Sequence, residues 1–426
     1  MDSGKEKVGF GRLWIFFQGR QFFKERKNKM KKSNRECSWS LKTIFSFLML
    51  MYFTSCNTTY IRAFIRRDAN VKDYLFFPER IIHKSDNVYE FKKETNPLVE
   101  DKLEKLLNID DFQTFINKTK TQSFMVIKDN NIIFEAYGSG YNKDSIVTSF
   151  SVAKSFDSAM IGKLIEQGKI KSEYQPITDF IPELVERDKR FCSIRICDLL
   201  GMCSGISYDE KFKDDDTKTY YDPDLRSLAI YKTEIGSEPG KEFLYNNYNP
   251  LFLGIIIERV AGMSVSSYLE KNIWQPMGAE NDGSWSLDSN KDAFEKMESG
   301  INGRTMDFAR FGCLYRDLGI INGKCVISEE WIRKSTSNIH EGKNEFYTDS
   351  FGKKISSAKN GGYYGYFWYG LKRKDFDRDD FFAAGNKGQI IYVSPKTNLV
   401  IVRFGEKYGI DFWKWISVFY DFASEC

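Results

Sequence analysis

Apolar and polar positions along the chain change period several times, and each change predicts an element. Residues 101–118 carry the spacing of a short helix, and "SFMVIKDNNIIFEAYG" (123–138) places two apolar runs around Asp129, Asn130 and Asn131. Those three side chains tolerate the left-handed geometry of a hairpin turn, so this stretch predicts a strand pair. In "AKSFDSAMIGKLIEQGKI" Ala153, Phe156, Ala159, Met160, Leu164 and Ile165 recur at helical spacing until Gly168 stops the run. From about 176 to 335 helical periods dominate, broken by an acidic stretch, "KFKDDDTKTYYDPD", read as a solvated surface loop. Period-2 alternation returns in "GQIIYVSPKTNLVIVRFG" (388–405), a second hairpin with a Pro-Lys-Thr-Asn turn, and the aromatic helix "DFWKWISVFYDFA" follows it. Strands therefore stand near both ends of the body with helices between them. That order implies an α+β fold.

Composition adds a globular core and removes nucleic acid as a partner. Hydrophobic residues make up 42% of the 426, and charged residues 29%. The net charge of +4 is misleading, because residues 1–42 hold twelve Lys or Arg against four Asp or Glu. Subtracting that +8 leaves the remainder near −4, without the basic footprint that nucleic acid requires.

Residues 43–55 are uncharged and hold an apolar stretch of about a dozen residues, short for a membrane span and suited to a secretory signal. Its end, "FTSC", resembles a bacterial lipobox, which would make Cys56 the lipidated first residue of a mature envelope protein. The expected organisation is an over-extended start at 1–29, a lipoprotein signal at 30–55, an arm at 56–100 reaching from the membrane, and a catalytic body at 101–426. The lipid, or the signal as an anchor, would hold the protein to the membrane on the periplasmic or surface side. Eight cysteines without CxxC spacing and only two histidines, His83 and His340, argue against a zinc site, and no metal or other cofactor is expected.

Ser151 and Lys154 lie three apart at the start of the predicted buried helix, where a lysine reaches a serine hydroxyl and free backbone N–H groups favour an anion. Ser350–Lys353 and Ser356–Lys359 repeat the spacing but fall in "TDSFGKKISSAKNGG", which reads as a polar loop. A serine nucleophile needs a base, and the histidines sit in polar or N-terminal stretches. The base is then Lys154, a tyrosinate, or both together. An ordinary lysine titrates near 10.4, about 4 kcal/mol from serving as a base at neutrality, so burial and neighbours must supply that difference. Tyr245-Asn246-Asn247, the only Tyr-x-Asn in the chain, offers a phenol to move protons and an amide to hold the lysine or a substrate amide. The structural alternative has Tyr245 and Asn247 capping the helix that begins near Pro250.

Taken in order, "SFSVAKSF", "ITDFIPEL", "ICDLLGMCSGISY", "YNNYNPLFLG", "WQPMGAENDGSWSLD", "TMDFARFGCLY" and "AAGNKGQIIYVSP" resemble the serine beta-lactamases and penicillin-binding proteins. The likeness runs from about residue 120 to 405. It falls in the branch of class C beta-lactamases, carboxylesterases and 6-aminohexanoate-dimer hydrolases. It implies an antiparallel sheet built from both ends of the body, flanked by helices, with a helical lobe and the site between lobes. It also implies acylation of Ser151, proton handling by Lys154 and Tyr245, and positioning by Asn247. The family's third motif corresponds to Asn386-Lys387-Gly388 followed by Gln389, placed at the start of a strand beside the nucleophile. On that reading the backbone N–H groups of Ser151 and Gln389 form the oxyanion hole, where one donor contributes about 3 kcal/mol. Asn386 stands where the family carries a cation, which shifts the expected substrates toward small esters and linear amides and away from carboxylate-bearing beta-lactams. The rival expectation from another class is a sensor that acylates without turning over.

Overall fold

The computed structural model describes residues 58–209, 214–341, 346–374 and 376–426. The segments read as an extended start and a lipoprotein signal, with Cys56, lie outside the described residues. In chain order, the elements that frame the site begin with α1 (Thr58–Arg66), β1 (Glu79–Ile82), β2 (Lys92–Lys93), α2 (Leu98–Leu107) and α3 (Phe112–Lys118). Next come β3 (Thr121–Lys128), β4 (Asn131–Tyr137), β5 (Val147–Thr148), α4 (Ala153–Glu166), α5 (Asp214–Tyr221) and α6 (Tyr248–Ala261). The last group is β6 (Gly283–Ser286), β7 (Ile301–Gly303), α7 (Thr305–Arg316), β8 (Gly362–Tyr364), β9 (Tyr369–Leu371), β10 (Asp380–Gly385), β11 (Gln389–Ser394), β12 (Leu399–Gly405) and α8 (Phe412–Ser424).

Eight strands form one sheet in the order β8-β9-β10-β11-β12-β3-β4-β2, so strands from the two ends of the body meet where β12 pairs antiparallel with β3. The turn between β3 and β4 has Asp129 and Asn130 at φ of 48° and 63°, the left-handed geometry their side chains tolerate. One expectation changes: β11 and β12 are buried along their whole length, with no solvent face. Helices cover both sides. On one, α7 lies so close that a side chain on Gly312 would come within 2.8 Å of Ile391 and Val400. On the other, Phe112 of α3 and Trp415 and Phe419 of α8 pack on Phe124 of β3. Strands sandwiched this way lose the polar-out half of the alternation.

A second sheet, β1-β6-β7-β5, brings β5 to the edge from which the chain enters α4. Residues 58–93, part of the arm expected at 56–100, are built into the body: β1 pairs with β6 and β2 with β4. The 101–118 helix is two helices, α2 and α3, parted by a left-handed Asn108. The acidic stretch read as a loop contains α5, which stacks Asp214, Asp215 and Asp216 in its first turn, where carboxylates favour the helix N-terminus. The "polar loop" serines also need correction, since Ser350–Ser356 is a helix capped by Asp349 and buries Gly352 and Ile355.

Candidate active site

Ser151 sits in a single 3-10 turn, Phe150–Val152, that joins β5 to α4. The residue before it, Phe150, has a φ of +42°, a region that costs a side-chain-bearing residue about 1–2 kcal/mol. The surroundings fix it there. Ser149 N donates to Ile301 O at 2.8 Å, Ser149 Oγ donates to the carbonyls of Phe150 and Ser299, and the Phe150 side chain is buried. Gly385, the last residue of β10, closes the other side. A side chain there would lie 2.5 Å from Ser149 O and 3.1 Å from Ser151 N. Only glycine lets the strand end approach the nucleophile's backbone this closely.

Almost every residue of α4 is buried, and Lys154 is 1% exposed. Its Nζ lies 3.0 Å from Ser151 Oγ and 2.9 Å from Glu298 O, and 5.1 Å from the centre of the Tyr245 ring. The three groups named from sequence as the chemical core are thus together in space. Tyr245 is carried by a segment pinned through Phe243 N to Phe346 O and Leu244 N to Met202 O, and its ring packs edge-on against Phe351. The Tyr369 hydroxyl adjoins it. Burial first, and then the neighbouring Tyr245 and Tyr364, hold the Tyr369 phenol well above its ordinary range, so it stays a neutral donor.

Asn247 takes a different place from the one expected. It occupies the N-cap position of α6, yet its side chain makes no capping hydrogen bond. Its Nδ2 donates instead to Tyr208 OH (3.0 Å) and Asp216 Oδ1 (3.2 Å), while its Oδ1 is buried without a hydrogen-bond partner among the described residues. The acidic segment therefore supports the wall of the site through α5. Sequence reading missed Asp216 because a run of charges carries no apolar period to mark it as packed, and Tyr208 because its partners are distant in the chain.

The third motif also shifts. Asn386–Gly388 form the turn between β10 and β11, not the start of a strand; Asn386 is exposed, and Lys387 is half-buried with a φ of 64°. Asn386 Oδ1 accepts from Lys387 N and from Tyr408 OH. Gly388 lies against the buried Arg403, which donates to its carbonyl at 2.6 Å. The Gln389 side chain is fully buried and staples β12, donating to Gly405 O and accepting from Gly405 N. Gly385, across the ladder from Gln389, is the residue that abuts Ser151. A strand end ordered against the nucleophile was legible; which residue of it makes the approach was not, because a three-residue turn moves the register.

Beneath the nucleophile lie two groups that sequence reading passed over. Asp157, one turn after Lys154, is fully buried and neither carboxylate oxygen has a hydrogen-bond partner among the described residues. Burial holds its carboxyl well above the usual range; Lys154 opposes that and Glu298 adds to it. Glu298 pairs with buried Lys296 at 3.1 Å, and burial pulls the Lys296 ammonium below its ordinary value. An acidic residue on the same helix as Lys154, between the apolar Phe156 and Ala159, was the available signal for Asp157. A separate cavity of about 810 Å³, lined by Arg195, Asp198, Lys241, Lys334, His340 and Tyr366 among others, shares no residue with this site.

Comparison with known proteins adds the lineage. A 6-aminohexanoate-dimer hydrolase from Paenarthrobacter ureafaciens is 27% identical over 305 residues, covering 69% of this chain and 74% of its own. A Bacillus anthracis protein provisionally assigned as a 6-aminohexanoate-dimer hydrolase superposes with a TM-score of 0.65 at 20% identity, over 84% of this chain and 92% of its own. A class C beta-lactamase superposes at 0.57 and 14% identity, over 78% of this chain and all of its own. At those identities the superpositions speak for the fold alone, the beta-lactamase/transpeptidase-like architecture expected from sequence. The Beta-lactamase family model matches residues 112–408. With that match running from α3 to just past β12, through both the turn that carries Ser151 and the strand end that meets it, the chain belongs to the Beta-lactamase family.

Proposed function

We propose that this protein is a serine hydrolase that cleaves an ester or amide through an acyl-enzyme on Ser151. The observation that carries the reading is the buried Lys154 Nζ, 3.0 Å from Ser151 Oγ and facing the Tyr245 ring. In the reaction Ser151 Oγ attacks the substrate carbonyl while its proton passes to Lys154 in its unprotonated form. Tyr245 shares that proton and delivers it to the leaving alcohol or amine. The carbonyl oxygen, now an anion, is stabilised by the Ser151 N–H at the head of α4 and by backbone donors at the β10 strand end near Gly385. Water then attacks the acyl carbonyl, gives a proton to the same pair, and releases Ser151.

Small esters and linear amides are the substrates we favour. Asn386 carries no charge and is engaged with Tyr408, which supports poor recognition of a substrate carboxylate. We place the protein at the bacterial envelope, attached through the lipid or signal segment around Cys56. A chromogenic ester tests the reaction: continuous release that Ser151→Ala abolishes supports a hydrolase, whereas one stoichiometric burst would make the protein an acylating sensor.

A further inference from the structure

Helix α1 is turned inside out. Thr59, Arg62 and Arg66, spaced three and four apart, face the body: Thr59 Oγ1 donates to Asp222 at 2.6 Å, Arg62 donates to the carbonyls of Tyr221 and Asp288, and Arg66 pairs with Asp73 at 2.7 Å. The outward face carries Phe64 and Ile65, 87% and 67% exposed, with Tyr60 at the rim. A surface helix ordinarily turns its apolar stripe toward the core, so this one is built for an apolar medium outside the protein. Leu75 (74% exposed) and Phe76 extend the patch, because Arg66 reaches across from α1, bonding Asp73 and stacking 4.6 Å over the Phe76 ring. Exposed Arg67 and Lys72 flank the patch, with Asp68 between them.

The chain before α1 indicates what covers this face. Residues 43–55 carry no charge, follow a strongly basic run, and end three residues before Thr58. Three residues of extended chain span about 11 Å at most, so a bilayer entered by that segment lies within reach of α1. Nine residues of helix rise only about 14 Å, too little to cross a bilayer, so contact must be along its surface. We propose that Phe64, Ile65, Leu75 and Phe76 form a lipid-facing patch that lies in the headgroup boundary of a phospholipid bilayer, with Arg67 and Lys72 toward the phosphates. The inference rests on the chain being held at the membrane just before α1, by residues 43–55 or by a lipid on Cys56, and is independent of the hydrolase reading.

The test places photoreactive p-benzoylphenylalanine at position 64, 65 or, as a control, at Tyr231, which is 56% exposed on the helix Leu225–Lys232, in the full chain bound to phosphatidylethanolamine and phosphatidylglycerol vesicles. Flotation reports attachment separately from contact. The expected result is flotation of all three proteins, with lipid adducts at 64 and 65 at least about five-fold above those at 231. Failure to float overturns both the membrane attachment and the patch. Flotation with lipid adducts no higher than at 231, or with crosslinks from 64 and 65 to residues 43–55 or to a second copy, overturns the patch alone.

Discussion

Lys154→Ala removes the only basic atom within hydrogen-bond reach of Ser151 Oγ among the described contacts. We expect kcat/KM for an ester to fall by about 10³, within the range measured for positioned proton-transfer groups, while Tyr245→Phe costs about 10² mainly in kcat. Steady-state kinetics on both variants check this, and unchanged turnover in Lys154→Ala would remove the lysine from the mechanism. Asp157 makes a prediction about stability. Its folded carboxyl keeps its proton to a higher pH than an ordinary aspartate, so above about pH 4 the unfolded chain releases a proton that the fold retains. Stability therefore declines as pH rises from there toward the folded pKa. Asp157→Asn, which cannot ionise, should raise the melting temperature at neutral pH and flatten its slope above pH 4. Calorimetry across pH reads both. At this scale the sequence disclosed residues whose spacing has a chemical meaning, Ser151, Lys154 and Tyr245. Glu298 was invisible because it contributes a backbone carbonyl, which no side-chain pattern records.

The strand end at Gly385 belongs to the scale of elements, because its role is to bring β10 against the turn that holds Ser151. Gly385→Ala puts a methyl 2.5 Å from Ser149 O and must push strand and turn apart. The expected cost is about 1–3 kcal/mol of stability, as for other overpacked sites, with a loss of kcat larger than that of a core variant equally destabilised. Denaturant unfolding paired with kinetics separates the two effects. Elements with a regular apolar period were legible from sequence: both hairpins, α4, α7 and α8 stand where the patterns put them. Helix α5 was not. Its residues are polar on all sides, and it is held by contacts from distant parts of the chain, Tyr248 OH to Asp215 at 2.7 Å and Tyr60 OH to Asp214 at 2.5 Å. No local signal carries such support.

At the scale of the molecule, the meeting of β12 with β3 makes the two ends of the body one sheet, and both faces of that sheet are closed by helices. Cysteine reactivity reports on that closure. Cys197, Cys203 and Cys313 are buried, and burial pushes the Cys197 and Cys313 thiols up to about 12, whereas Cys192, Cys325 and Cys426 are exposed. Of these six described cysteines, iodoacetamide at mildly alkaline pH should alkylate the exposed three in the native protein and the buried three only after unfolding, as peptide mapping would show. The central claim, that Ser151 carries an acyl group whose formation depends on Lys154, is tested most directly by intact-protein mass spectrometry during turnover of a slow ester. We predict an adduct that maps to Ser151, decays as product appears, and is absent from Ser151→Ala and nearly absent from Lys154→Ala. Turnover by the native protein with no adduct at Ser151, or an adduct that forms equally fast without Lys154, would contradict it.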